Sequence, residues 1–156
     1  MKETGIVRRV DDLGRIVIPK EIRRSLHIRE GDPLELFMED GNLILKKYQV
    51  LKPEFLSRVY TALLEAAKGT VAIYDSSYLM KTRRCCVVPD VVPDHWEFQR
   101  SRFTVMADMN NNSDVTTLQV YPINVAGENI GYVAVENCNE NYVAGVLAMI
   151  KTEGEM

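Results

Sequence analysis

The sequence predicts two domains of different construction. Residues 1–50 read as a small, strand-rich unit that closes only as a dimer, and residues 53–156 as an α+β unit with an antiparallel sheet. Three observations predict this. Before Pro53 the apolar residues come in short runs broken by Asp11-Asp12-Leu13-Gly14, Glu30-Gly31-Asp32-Pro33 and Glu39-Asp40-Gly41-Asn42, which is the pattern of short strands and tight turns. After Pro53 helix-spaced apolar stripes stand at both ends of the segment, with β-rich runs between them. Net positive charge is confined to the start. Residues 1–29 carry eight Lys and Arg against four Asp and Glu, residues 30–50 two against five, and residues 51–156 nine against thirteen, so the net charge of -3 conceals an N-terminal +4.

Within the first unit, Ile6 to Val10 is predicted as a strand, Asp11 to Gly14 as a turn and Arg15 to Ile18 as a second strand. Pro19 then opens a helix running to His27, with Pro19 in its first turn and Ile22 and Leu26 one turn apart on one face. Leu34 to Met38 and Leu43 to Lys47 alternate around the Asp40-Gly41 turn as a hairpin. Gly14 and Gly31 are assigned to turn conformations that residues with a Cβ resist. A helix of about nine residues is unstable alone, and a unit of about 50 residues without metal or disulfide has little core. Ile16-Val17-Ile18 is apolar on both strand faces and so asks for cover on both sides. Interleaving two copies would supply it, so an obligate homodimer is expected.

The second unit follows a linker over residues 48–53. Leu56, Val59, Tyr60, Leu63, Leu64 and Ala67 fall on one helix face, with Gly69 as the stop. Thr70 to Tyr74 reads as a strand, Thr116 to Val125 and Ile130 to Asn137 as a hairpin around Ala126-Gly127-Glu128-Asn129, and Tyr142 to Ile150 as a closing helix. The middle, Lys81 to Asp114, is read as strands at Cys85 to Val88 and Arg102 to Met106 around a Trp-bearing helical turn at Asp94 to Ser101.

Five arginines lie within the first 24 residues: Arg8, Arg9, Arg15, Arg23 and Arg24. They sit on short elements that must pack together, so their guanidinium groups should converge on one surface. Such a surface suits phosphate, which a planar guanidinium grips through two parallel hydrogen bonds. The competing reading is a solvated network with Asp11, Asp12 and Glu21. The acidic remainder discourages indiscriminate binding of polyanions elsewhere on the chain.

Other chemistries find little support. At 156 residues, 46% hydrophobic and 26% charged, the composition is that of an ordinary globular protein. No apolar run approaches the roughly 20 residues of a membrane helix, and no secretion signal is seen, so a cytoplasmic protein is expected. Cys85, Cys86 and Cys138 are an odd set without CxxC spacing, and His27 and His95 stand apart. Reduced thiols and no metal site are therefore expected, with redox sensing by the vicinal pair as the minor alternative. Neither GxGxxG nor GxxxxGK[ST] occurs, no nucleophile and base can be paired, and the chain is expected to be neither an enzyme nor a cofactor carrier. Trp96, Phe98, Tyr78 and Phe103 are read first as core and second as the lining of a small-molecule pocket.

The first 48 residues resemble the AbrB-type swapped-hairpin DNA-binding domain of bacterial transition-state regulators. The likeness is carried by Gly5-Ile-Val-Arg-Arg, Asp12-Leu-Gly-Arg-Ile-Val-Ile-Pro-Lys, Glu21-Ile-Arg-Arg, Ile28-Arg-Glu-Gly-Asp-Pro-Leu-Glu and Ile44-Leu-Lys-Lys-Tyr48, in that order. The resemblance implies a homodimeric swapped-hairpin (looped-hinge) barrel and a transition-state or sporulation type of transcription regulator whose partner is double-stranded DNA. It places Arg8, Arg15, Arg23 and Arg24 at DNA-contacting positions, to which we add Arg9 and Lys20. Residues 53–156 resemble a GAF-like domain through Tyr121-Pro-Ile, Gly127 and Ile130-Gly131, which implies joining dimers into a homotetramer or sensing an unidentified small-molecule effector. The middle and the end of this region depart from that pattern. Antitoxins that autoregulate through the same N-terminal fold are the alternative class; their toxin-wrapping tails are short and disordered, unlike the periodic faces after Pro53.

Overall fold

The computed structural model describes residues 3–49, 52–75, 78–110 and 113–154. Val50 and Leu51 of the expected linker, and Asn111 and Asn112 of the middle segment Lys81 to Asp114, lie outside the described residues. The chain divides into two units, Met1–Tyr48 and Gln49–Met156.

The first unit contains one helix, α1 (Lys20–Ser25), and one hairpin of β1 (Leu34–Glu39) and β2 (Asn42–Lys47). The strands pair antiparallel from Leu34↔Lys47 to Glu39↔Asn42. Asp40 and Gly41 both have positive φ, 50° and 78°, as the tightest hairpin turn demands. Helix α1 is shorter than the sequence suggests. Pro19 stands just outside it as the N-cap, with φ -58° and ψ 147°; its ring fixes φ alone and leaves ψ free to be extended.

Ile6 to Val10 and Arg15 to Ile18 do not form strands in the single chain. A strand exists only where a neighbour completes its hydrogen-bond ladder, and the described residues of one copy offer these segments none. The turn between them is nevertheless closed, since Asp11 N donates to Arg15 O and Gly14 N to Asp11 O, both at 3.0 Å. No described residue of 3–49 is buried. Val7, Val17 and Met38 are 83%, 75% and 87% exposed.

The second unit has its own core. Helix α2 (Pro53–Ala66) is followed by β3 (Val71–Asp75), β4 (Leu79–Arg83), a 3-10 turn (Asp94–Trp96), β5 (Phe103–Asp108), β6 (Val115–Val125), β7 (Glu128–Val135) and α3 (Glu140–Gly154). The five strands form an antiparallel sheet in the order β4-β3-β7-β6-β5. Alternation divides their side chains between two faces. Val71, Ile73, Tyr121, Ile123, Val133 and Val135 pack with Phe55, Leu56, Val59 and Leu63 of α2 and with Val143, Val146 and Ile150 of α3. Ala72, Tyr74, Val120, Tyr132 and Ala134 face the other way, where Val92 and Trp96 cover them.

The middle of this unit differs from expectation. Cys85 to Val88 contributes only an isolated bridge, Cys86↔Met109, and the helical turn is three residues long. Strand β4 begins before the stretch assigned to the variable middle. Trp96 is buried, with its ring 5.3–5.5 Å from those of Tyr74, Phe103 and Tyr132 in edge-on contacts; this is the core role, and edge-to-face packing is the favourable arrangement for such rings. Phe98 instead lies on the surface at 81% exposure.

Two polar devices tie the elements together. Arg83 donates to Leu64 O, Ala67 O and Gly69 O at 2.6–3.3 Å, placing a cation and several donors where the last carbonyls of α2 lack partners. Buried Glu136 accepts from Thr70 N at 2.9 Å and from the Thr116 hydroxyl at 2.7 Å. Burial pushes this carboxyl up, but the bonds from Thr70 and Thr116 outweigh it and hold the group below the usual glutamate range.

Gly131 lies where β7 passes β3, and a Cβ built on it would stand 2.2 Å from the Tyr74 carbonyl oxygen. Because the obstacle is backbone, the ladder itself would have to part. Gly131→Ala is therefore expected to destabilise this unit by about 2–3 kcal/mol, measured as a lower urea midpoint for Trp96 fluorescence.

Candidate nucleic-acid interface

The six candidate cations stand at three stations along the chain. Arg8 and Arg9 lie on the segment before the Asp11–Gly14 turn, Arg15 directly follows that turn, and Lys20, Arg23 and Arg24 lie on α1. Gly14, with φ 76°, provides the left-handed step that reverses the chain between the first two stations. On α1, Glu21 occupies the first turn and Arg23 and Arg24 the last, the order that suits the helix dipole.

All six side chains are exposed. Of these six, only Arg15 has an ion-pair partner among the described residues, its Nε lying 2.8 Å from Asp11 Oδ2. Arg8 donates to the neighbouring Val7 carbonyl at 3.1 Å. The network that would neutralise the cations through Asp12 and Glu21 is thus missing among the described residues, and five cations remain open to an external anion.

The feature that sequence reasoning missed is the role of Asp11. The sequence presents it as a turn residue and a competitor for arginine charge, yet its carboxylate also accepts from the Leu13 and Arg15 backbone N–H groups at 3.0 and 2.8 Å. An Asp four residues before an Arg, across a turn containing Gly14, was the available signal.

The remaining candidates assemble no comparable site. Cys85 and Cys138 are half-buried, Cys86 is buried, and all three are free. The Thr70 hydroxyl accepts from Cys85 N and Cys86 N at 2.9 and 3.0 Å and contacts Cys86 Sγ at 3.1 Å. Burial pushes the Cys86 thiol up. Among the described residues no three His, Cys, Asp or Glu side chains group as metal ligands, and no helix is long and apolar enough to cross a membrane.

Comparison with known proteins bears on the cationic segment. Residues 7–52 match the family model described as antidote-toxin recognition MazE, bacterial antitoxin. The chain is 56% identical over 78 residues to stage V sporulation protein T of Bacillus subtilis (strain 168), covering 48% of this chain and 44% of that protein. It is 61% identical over 49 residues to the transition state regulatory protein AbrB of the same organism, covering 31% of this chain and 51% of that one. The chain therefore spans about half the length of the curated relatives it matches. Among solved structures, the N-terminal DNA recognition domain of the B. subtilis transition-state regulator AbrB shares 61% identity over 31% of this chain and 92% of its own, at a TM-score of 0.28. The 78-residue match exceeds the 48 residues of the first unit, so it reaches into the second.

Proposed function

We propose that this chain, whose N-terminal unit is of the MazE/AbrB type, is a DNA-binding transcription regulator of the transition-state and sporulation kind. Two copies interleave residues 1–50 into a swapped-hairpin barrel. Arg8, Arg15, Arg23 and Arg24 of both, with Arg9 and Lys20, then gather on one side and clamp the sugar-phosphate backbone. The observation that carries the reading is that five of these six exposed cations have no ion-pair partner among the described residues. One relative is named a transition state regulatory protein, and the proposed activity is binding alone, in the cytoplasm.

Residues 53–156 act as the GAF-like sensing or assembly domain. In support, helices cover one face of its antiparallel sheet and a long loop segment covers the other. Joining two dimers through this unit raises the effective local concentration of weak phosphate contacts. An autoregulating antitoxin is the less supported reading, because residues 53–154 are a folded domain with a buried core rather than a short wrapping tail.

Fluorescence anisotropy with a labelled duplex in dilute salt tests the proposal. The wild-type chain is expected to bind, and replacement of Arg8, Arg15, Arg23 and Arg24 together by Ala to weaken binding by about a thousandfold or more. A folded wild-type protein with no attraction to duplex DNA would overturn it.

A further inference from the structure

We infer that Asp11 is a positioning residue that presets the Arg15 guanidinium for phosphate, an inference that rests on the DNA-binding reading above. Arg15 is held from both sides. Asp11 Oδ1 accepts from Arg15 N at 2.8 Å and from Leu13 N at 3.0 Å, while Oδ2 accepts from Arg15 Nε at 2.8 Å. From the backbone, Asp11 N donates to Arg15 O and Gly14 N to Asp11 O. One carboxylate therefore fixes both the turn and the first N–H of the side chain that leaves it.

The choice of nitrogen is what makes the contact useful. A guanidinium carries five N–H donors, one on Nε and four on the two Nη atoms. Asp11 takes the Nε donor, and among the described residues both Nη atoms remain without a hydrogen-bond partner, on a side chain that is 70% exposed. The free Nη edge is one that can meet two phosphate oxygens with parallel bonds. A long side chain left loose must lose rotamer freedom when it binds, and holding it beforehand reduces that cost. The Arg15 N–H groups, backbone first and side chain second, keep the Asp11 carboxyl below the usual aspartate range, so it stays ionised wherever duplex DNA is handled.

Charge alone argues the opposite way. A carboxylate beside a phosphate-binding arginine repels the phosphate, so removing it should strengthen binding. The two effects thus predict opposite signs for Asp11→Asn. Asparagine keeps an oxygen to accept from Leu13 N and Arg15 N, preserving the turn, but offers no second acceptor to Arg15 Nε.

In the full-length dimer, Asp11→Asn is expected to weaken binding of a labelled duplex by about five- to tenfold, although the variant is more positive. The slope of log affinity against log salt should also become shallower by up to about two, one contact per copy. In an Arg15→Ala background the same change should cause no loss. Wild-type affinity or better in Asp11→Asn would overturn the inference and leave the DNA-binding reading standing. An undiminished loss in the Arg15→Ala background would also overturn it, by showing that Asp11 serves the turn alone. If the wild-type chain itself fails to bind, both fall.

Discussion

Raising monovalent salt from about 50 to about 200 mM is expected to weaken duplex binding by about four orders of magnitude, following a slope of log affinity on log salt of about -7. The size follows from the count of contacts. If Arg8, Arg15, Arg23 and Arg24 each neutralise one phosphate in each of two copies, about eight counterions leave the duplex on binding. The exposed, unpaired state of Arg8, Arg23 and Arg24 supports this count, and Arg15 joins it through the Nη edge that Asp11 leaves free. Arg23→Ala should flatten the slope by about two, one contact per copy, and weaken binding to different sequences to a similar degree.

The length of α1 bears on the same measurement. Its six residues make fewer than two turns, too little to lay a reading face along the major groove. Sequence preference is then expected to come from the shape and deformability of the duplex, with loose and A·T-rich sites favoured. A slope of about -2 combined with a sharp, fully specified binding motif would contradict this reading, because it would place the affinity in base-edge contacts.

What the sequence made legible is what local chemistry decides. The β1–β2 hairpin was visible because alternation and the Asp40-Gly41 turn act within a few residues of one another. Helix α2, the β6–β7 hairpin and α3 were visible because each carries a regular apolar period over eight residues or more. The middle of the second unit was poorly legible because its order is set from a distance. Leu79–Arg83 is a strand because Val71–Asp75 pairs with it, and Trp96 is fixed by rings contributed from β3, β5 and β7. Arg83 looked like one charge among several, yet it closes the end of a helix about 20 residues earlier in the chain. At the candidate interface, residue types identified the arginines, whereas the hold of Asp11 on one of them required the turn to be seen closed.

The thermal transition of the N-terminal unit is expected to rise with protein concentration, and Val17→Asp to raise the dimer dissociation constant by about a thousandfold, the effect of about 4 kcal/mol for a charge placed in an apolar contact. A two-stranded hairpin is marginal in water and so is a helix of six residues, so neither element supports the other without a shared core. The single chain does not provide one. None of the described residues 3–49 is buried, while Val7, Val10, Leu13, Val17, Leu36 and Met38 are all at least 60% exposed. Ile16, Val17 and Ile18 occupy consecutive positions on a segment without ladder partners, so a second copy can supply hydrogen bonds and apolar cover at once. Because folding and association are then one event, stability depends on concentration by mass action. The two units can be followed separately, since Trp96 is the sole tryptophan and lies in the second. Val17→Asp should abolish the concentration-dependent transition and DNA binding while leaving Trp96 fluorescence and its unfolding midpoint unchanged. A first unit that melts at one temperature across a hundredfold dilution, or a Val17→Asp chain that still dimerises through it, would show that these apolar side chains find their cover within one copy.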